Sequence, residues 1–75
     1  MKDLLILLAK KLVDQPDSVE VIEEVENGVT TLRLKVAQED MGKVIGKQGR
    51  IARAIRTLIK AAAINEEKRV NVEII

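Results

Sequence analysis

The dipeptide Asn27-Gly28 restricts what this chain can fold into more than any other feature of it. A two-residue hairpin turn of type I′ needs positive φ at both central positions, and Asn followed by Gly meets that need at little steric cost. The runs on either side, Ser18–Glu26 and Val29–Ala37, therefore read as two antiparallel strands. Counting out from the turn sets their register: Glu26 faces Val29, Val21 faces Leu34 and Glu20 faces Lys35. Val19, Val21, Leu32, Leu34 and Val36 then share one face. Glu23 falls on that face too, opposite Leu32. Either it lies at a wet rim or a bulge turns Ile22 inward in its place.

A two-stranded hairpin is marginal alone, so its apolar face must be covered by the rest of the chain. Lys2–Val13 consists of good helix formers, with Leu4, Leu5, Leu8, Ala9 and Leu12 on a helical face; Ile6, Leu7 and Val13 widen the stripe. That helix ends before Pro16, which disfavours helical backbone in the residue before it. A short helix opens at Glu39 or Asp40 and runs through Ile45, where Gly46 and Gly49 interrupt it. A longer helix spans about Gly49 to Ala63. At 100° per residue, Ile51, Ile55, Leu58, Ile59 and Ala62 fall on its core-facing arc, and Arg50, Arg53, Arg56 and Lys60 lie largely opposite. Ile64–Lys68 forms a loop, and Val70, Val72 and Ile74 alternate along a last strand, Arg69–Ile75. The order α-β-β-α-α-β predicts an α+β fold, a two-layer sandwich with a three-stranded mixed sheet. The last strand arrives through a two-helix crossover, which lets it run parallel to a hairpin strand.

Length and composition bound the function. Seventy-five residues make one small domain, spanning 1–75. With no Cys and no His, the chain lacks disulfides and the commonest metal ligands, so packing and a partner are what remain to stabilise it. A hydrophobic content of 47% is generous for a surface-dominated object and favours a dimer or a hetero-complex. The apolar run Leu4–Ala9 is far below the roughly 18–20 residues that span a bilayer. It is also too short for a cleavable leader, so no membrane insertion is expected and the chain reads as soluble and cytoplasmic. The usual nucleophile–base pairs need His or Cys, and the acids sit mostly on the hairpin opposite Arg33 and Lys35. We therefore expect no enzyme, no catalytic residue, no metal, no cofactor and no small-molecule substrate.

The formal net charge is only +1, so any nucleic-acid reading depends on where charge sits. Residues 14–40 hold Asp14, Asp17, Glu20, Glu23, Glu24, Glu26, Glu39 and Asp40 against Arg33 and Lys35. Residues 42–60 hold Lys43, Lys47, Arg50, Arg53, Arg56 and Lys60 and no acid. Inside that basic stretch lies Gly42-Lys43-Val44-Ile45-Gly46-Lys47-Gln48-Gly49-Arg50. Two glycines three apart between two helices allow a tight reversal, so that backbone amides and the next helix's N-terminus can approach an anionic backbone. Glycine-broken helix pairs are common in proteins that bind nothing. The basic residues bordering this one set it apart.

Val44-Ile45-Gly46-Lys47-Gln48-Gly49 resembles the signature loop of KH domains, whose GxxG clamps a short run of nucleotides by the backbone. The element order resembles the type II KH arrangement. The length, the N-terminal helix and the run GKVIGKQGR resemble the stand-alone bacterial KH proteins of the KhpA (YlqC) type, across essentially the whole chain. One departure is Ala52, where the general KH pattern has a large aliphatic residue. The resemblance implies single-stranded RNA binding, as a post-transcriptional regulator or RNA chaperone. It implies roles for Lys43, Lys47, Gln48 and Arg50 at phosphate or sugar, with Arg53 beside them. It also implies close backbone approach at Gly46 and Gly49, and a groove floored by Val44, Ile45 and Ala52 for about four nucleotides. A homodimer, or a heterodimer with a larger KH protein of the KhpB (Jag) type, is implied as well. The absence of Phe, Trp and Tyr disfavours RRM, cold-shock and OB modules, which stack bases on aromatic rings. The alternative is a protein-interaction module that keeps the fold without strong RNA binding. The margin of the long helix's apolar arc places Ile59 in a two-fold interface.

Overall fold

The computed structural model describes residues 1–75. Its elements are α1 (Lys2–Leu12), β1 (Glu20–Glu26), β2 (Val29–Lys35), α2 (Met41–Ile45), α3 (Arg50–Asn65) and β3 (Arg69–Ile74). Single 3-10 turns lie at Pro16–Ser18, Gln38–Asp40 and Lys47–Gly49. The expected α+β order and three-stranded mixed sheet are present.

Asn27 and Gly28 both take positive φ, +53° and +78°, as the turn requires. The hairpin register follows from it: Glu20↔Lys35, Val21↔Leu34, Glu23↔Leu32 and Glu26↔Val29. β2 is the central strand, antiparallel to β1 and parallel to β3 from Val29↔Arg69 to Leu34↔Ile74. The helices cover one face of this sheet. Leu5, Leu32, Leu34, Val44 and Ile59 are wholly buried there, with Val21, Ile55, Val70 and Val72 packed around them.

The ladder runs without a bulge past Glu23, which is exposed, as is Val25 two residues on. Glu23 is thus the wet-rim residue, and Ile22 stays on the opposite face. Along β1 only Val21 is buried, so the hairpin extends past the helical layer.

α3 departs from expectation in two ways. Its buried residues are Ala52, Ile55, Ile59 and Ala63, while Leu58 is 53% exposed and Ile51 and Ala62 are half-buried. The helix is rolled toward its alanines, whose small side chains let its backbone lie close to the sheet; Ala9 does the same for α1. Ile59 is 0% exposed and belongs to the core, which overturns its placement in a two-fold interface. Second, α3 runs on through Asn65 instead of stopping at Ala63. Lys68 N–H donates to Ala63 O and Glu67 N–H to Ile64 O, a Schellman closure with Glu67 at φ +57°. A glycine at that position would have marked the helix end in the sequence.

No helix is long and apolar enough to cross a membrane.

Candidate nucleic-acid interface

The candidate interface is the reversal between α2 and α3. Gly46 ends α2 at φ +74°, ψ 174°, a conformation essentially confined to glycine. Its N–H donates to Gly42 O at 2.8 Å, closing α2, and its carbonyl accepts from Gly49 N–H at 3.1 Å, closing the turn. Gln48 at φ +58° and Gly49 at φ +74° are both left-handed, which redirects the chain into α3. The two glycines differ in what surrounds them. A Cβ on Gly46 would lie 2.6 Å from Ile51 Cγ1, whereas one on Gly49 would meet nothing within 4 Å. Ile51 from the first turn of α3 thus packs over Gly46 and holds the loop closed, an interaction that needs its partner to lack a side chain.

Around this turn the expected site residues separate into groups. Lys47, Gln48, Arg50 and Arg53 are exposed, and Gly46 and Gly49 are half-buried. None of Lys47, Arg50 and Arg53 takes part in an ion pair, so their charge is available to an anion. Ile45 is at the border of exposure and can meet a ligand, but Val44 is 0% exposed. Val44 supports the loop from the core and does not floor an open groove. Ala52 is likewise buried, filling the departure from the general pattern with a small residue.

Lys43 stands apart from the cations at the loop. Its ammonium is bound by Asp14, from the segment after α1, and lies 3.6 Å from Asp40 Oδ1. The hydrogen bond to Asp14 holds its pKa above the usual lysine value, the charges of Asp14 and Asp40 adding to it against a desolvation that lowers it. Asp40 is 1% exposed and also accepts Gln15 N–H at 3.0 Å. Gln15 Nε2 donates to Glu39 Oε2 at 2.6 Å. This cluster ties the start of α2 to the α1–β1 connection. Lys43 therefore orients the loop's first helix, and its charge is already offset.

Sequence reasoning passed over two features. Arg56 Nε donates to Val72 O at 3.3 Å, placing an α3 cation on β3. Arg56 lies three residues after Arg53 and four before Lys60, which keeps all three on the basic arc legible in the sequence, but its bond to β3 is a tertiary contact with no local signal. On the far side of the loop, Leu8, Lys11 and Leu12 of α1 and Arg50, Ile51, Ala54 and Leu58 of α3 border an apolar groove of about 350 Å³.

The chain matches the family described as KhpA/KhpB, KH domain, over residues 2–74. It is 67% identical over 75 residues to the RNA-binding protein KhpA of Clostridium acetobutylicum, covering 100% of both chains. To the RNA-binding protein KhpA of Bacillus subtilis it is 47% identical over 74 residues, covering 99% of this chain and 91% of the relative. Among solved structures it is similar to Aquifex aeolicus Era, with a TM-score of 0.62 at 17% identity. That match covers 97% of this chain and 28% of Era, and concerns the fold alone.

Proposed function

The chain belongs to the KhpA/KhpB KH-domain family, and from that membership we propose that it binds single-stranded RNA at the Gly46-Lys47-Gln48-Gly49 loop. The observation that carries this is the turn itself: a glycine-limited backbone, flanked by the unpaired cations Lys47, Arg50 and Arg53, at the start of a 16-residue helix. An RNA strand lays its phosphates along this turn, where no side chain at Gly49 holds them off. Ile45 gives apolar contact to a base. Three free cations imply a salt dependence with a slope of roughly −2, at about −0.7 per phosphate on a single strand. A duplex binds worse, since its bases are already paired. The chain acts in the cytoplasm as a binding module, in post-transcriptional regulation or as an RNA chaperone.

It works as a homodimer or with a larger KH partner of the KhpB type. The groove between α1 and α3 supports that reading, because Leu12 and Leu58 leave 37% and 53% of their surface in water beside it.

The test replaces Lys47→Asp and Gln48→Asp together. Both residues are exposed, so circular dichroism should be unchanged while affinity for a short single-stranded RNA falls at least tenfold. Affinity within twofold of the parent would refute the loop assignment.

A further inference from the structure

A second basic cleft lies at the other end of α3. Lys60, Ile64, Lys68, Arg69 and Asn71 border about 340 Å³ between the last turns of α3 and the first residues of β3. Three of these residues are cations and none is a carboxylate. Lys60, Lys68 and Arg69 are exposed, and none is in an ion pair. Ile64, 73% exposed, gives the cleft an apolar wall, and Asn71 brings an amide able both to donate and to accept hydrogen bonds.

The cleft and the loop are joined by a continuous stripe. Arg53, Arg56 and Lys60 follow one another down α3 at i+3 and i+4, on neighbouring turns of one face. The bond from Arg56 to Val72 O shows where that stripe meets β3. β3 runs back from the cleft toward the loop, so Lys60 faces its beginning and Arg56 its middle. Lys60 lies ten residues beyond Arg50, about 15 Å along the helix axis at 1.5 Å per residue. A run of about four nucleotides held at the loop leaves these cations unused.

We propose that the cleft bordered by Lys60, Lys68 and Arg69 is a second phosphate-binding subsite. It takes the continuation of the same RNA strand, led there from the loop along Arg53 and Arg56. This rests on the RNA-binding reading of the loop and extends its footprint. A strand long enough to reach both ends gains affinity through the second set of contacts. At about 0.7 log units per phosphate and per decade of salt, three contacts are worth roughly 100-fold at 0.1 M relative to 1 M.

The experiment compares a four-nucleotide RNA with one of about ten nucleotides, on the parent and on Lys60→Gln/Lys68→Gln/Arg69→Gln. A control of equal charge change, Lys2→Gln/Lys10→Gln/Lys35→Gln, alters exposed lysines away from both sites. The longer RNA offers about seven registers for a four-nucleotide site, so a sevenfold preference is expected without any second subsite. We expect the parent to prefer it by well over tenfold, with a salt slope steeper by roughly 2 units. The cleft variant should lose 10- to 100-fold on the longer RNA and nothing on the tetramer, and the control should keep both affinities. A parent preference of sevenfold or less, with equal salt slopes, would overturn the second subsite while leaving the loop intact. A cleft variant that weakens the tetramer as much as the longer RNA would also overturn it, as would a control that loses as much as the cleft variant. A parent that binds neither RNA would remove the loop reading itself.

Discussion

Replacing Gly46 with alanine separates the steric account of the loop from a merely conformational one. The added Cβ would sit 2.6 Å from Ile51 Cγ1 and 2.9 Å from both Ile51 Cβ and Cδ1, well inside contact distance. Ile51 would have to leave its position, an overpacking cost of about 1–3 kcal/mol. The backbone at φ +74°, ψ 174° adds strain of about 1–3 kcal/mol for any residue but glycine. The sum, about 2–6 kcal/mol, is a large share of the roughly 4–11 kcal/mol expected of a 75-residue domain. Gly49→Ala meets no neighbour and should cost only the left-handed penalty, about 1–2 kcal/mol. Urea unfolding followed by circular dichroism measures both. The decisive addition is Ile51→Ala, alone and combined with Gly46→Ala. Truncating Ile51 to alanine removes the contacts to Cγ1 and Cδ1 but keeps the Cβ at 2.9 Å and the backbone strain, so the double variant should recover only part of the overpacking cost and be more stable than the sum of the single changes by about 1–2 kcal/mol. Additivity within about 0.5 kcal/mol, or a Gly46→Ala variant no less stable than Gly49→Ala, would refute the reasoning.

Glu67→Gly should stabilise the fold by about 0.5–1 kcal/mol, read as a higher urea midpoint, because Glu67 closes α3 at φ +57° without glycine's freedom. Ile59→Ala should cost about 2–5 kcal/mol as a buried truncation, and Leu58→Ala well under half of that, since Leu58 is 53% exposed; equal costs would mean that α3 is rolled the other way. Asp40→Ala should cost about 1–3 kcal/mol by leaving Gln15 N–H without its acceptor, with a matching fall in urea midpoint. The Lys43 pKa is raised, so its contribution is complete below the ordinary 10.5 and is lost only as pH rises through the raised value. Unfolding free energies of the parent and of Lys43→Met should therefore differ by the same amount at pH 6 and pH 9.

The hairpin was fully legible in the sequence because its determinants are local. Asn27 and Gly28 select the turn, and a two-residue turn leaves one register in which Val21, Leu32 and Leu34 share a face. The roll of α3 was not legible, because hydropathy alone favours the arc that carries the large side chains of Ile51 and Leu58. How close a helix lies to a sheet is decided by small residues at the contact, here Ala52 and Ala63, and that distance is a tertiary quantity. The same limit hid the state of Lys43. Its partner Asp14 is 29 residues away, brought near only when α1 and α2 pack at one end of the sheet. Local charge counting made Lys43 one of six free cations, whereas two carboxylates claim it in the fold.

These observations also decide which variants report on binding. The four loop residues are anchored at both ends by buried side chains, Val44 before them and Ala52 after, with Ile51 packed over Gly46. Gly46 thus belongs to the core's packing as much as to the loop. If a Gly46 variant lost RNA affinity, the loss would combine a displaced Ile51 with any missing backbone contact, and the two could not be separated. Lys47 and Gln48 are different, since they are exposed and carry no packing. Gln48 itself holds the turn's left-handed backbone at φ +58°, a conformation that aspartate also tolerates. A charge reversal there leaves the turn as it is and changes only what a phosphate meets. The exposed pair is therefore the proper probe of the ligand, and the glycines are the proper probe of the scaffold that presents it.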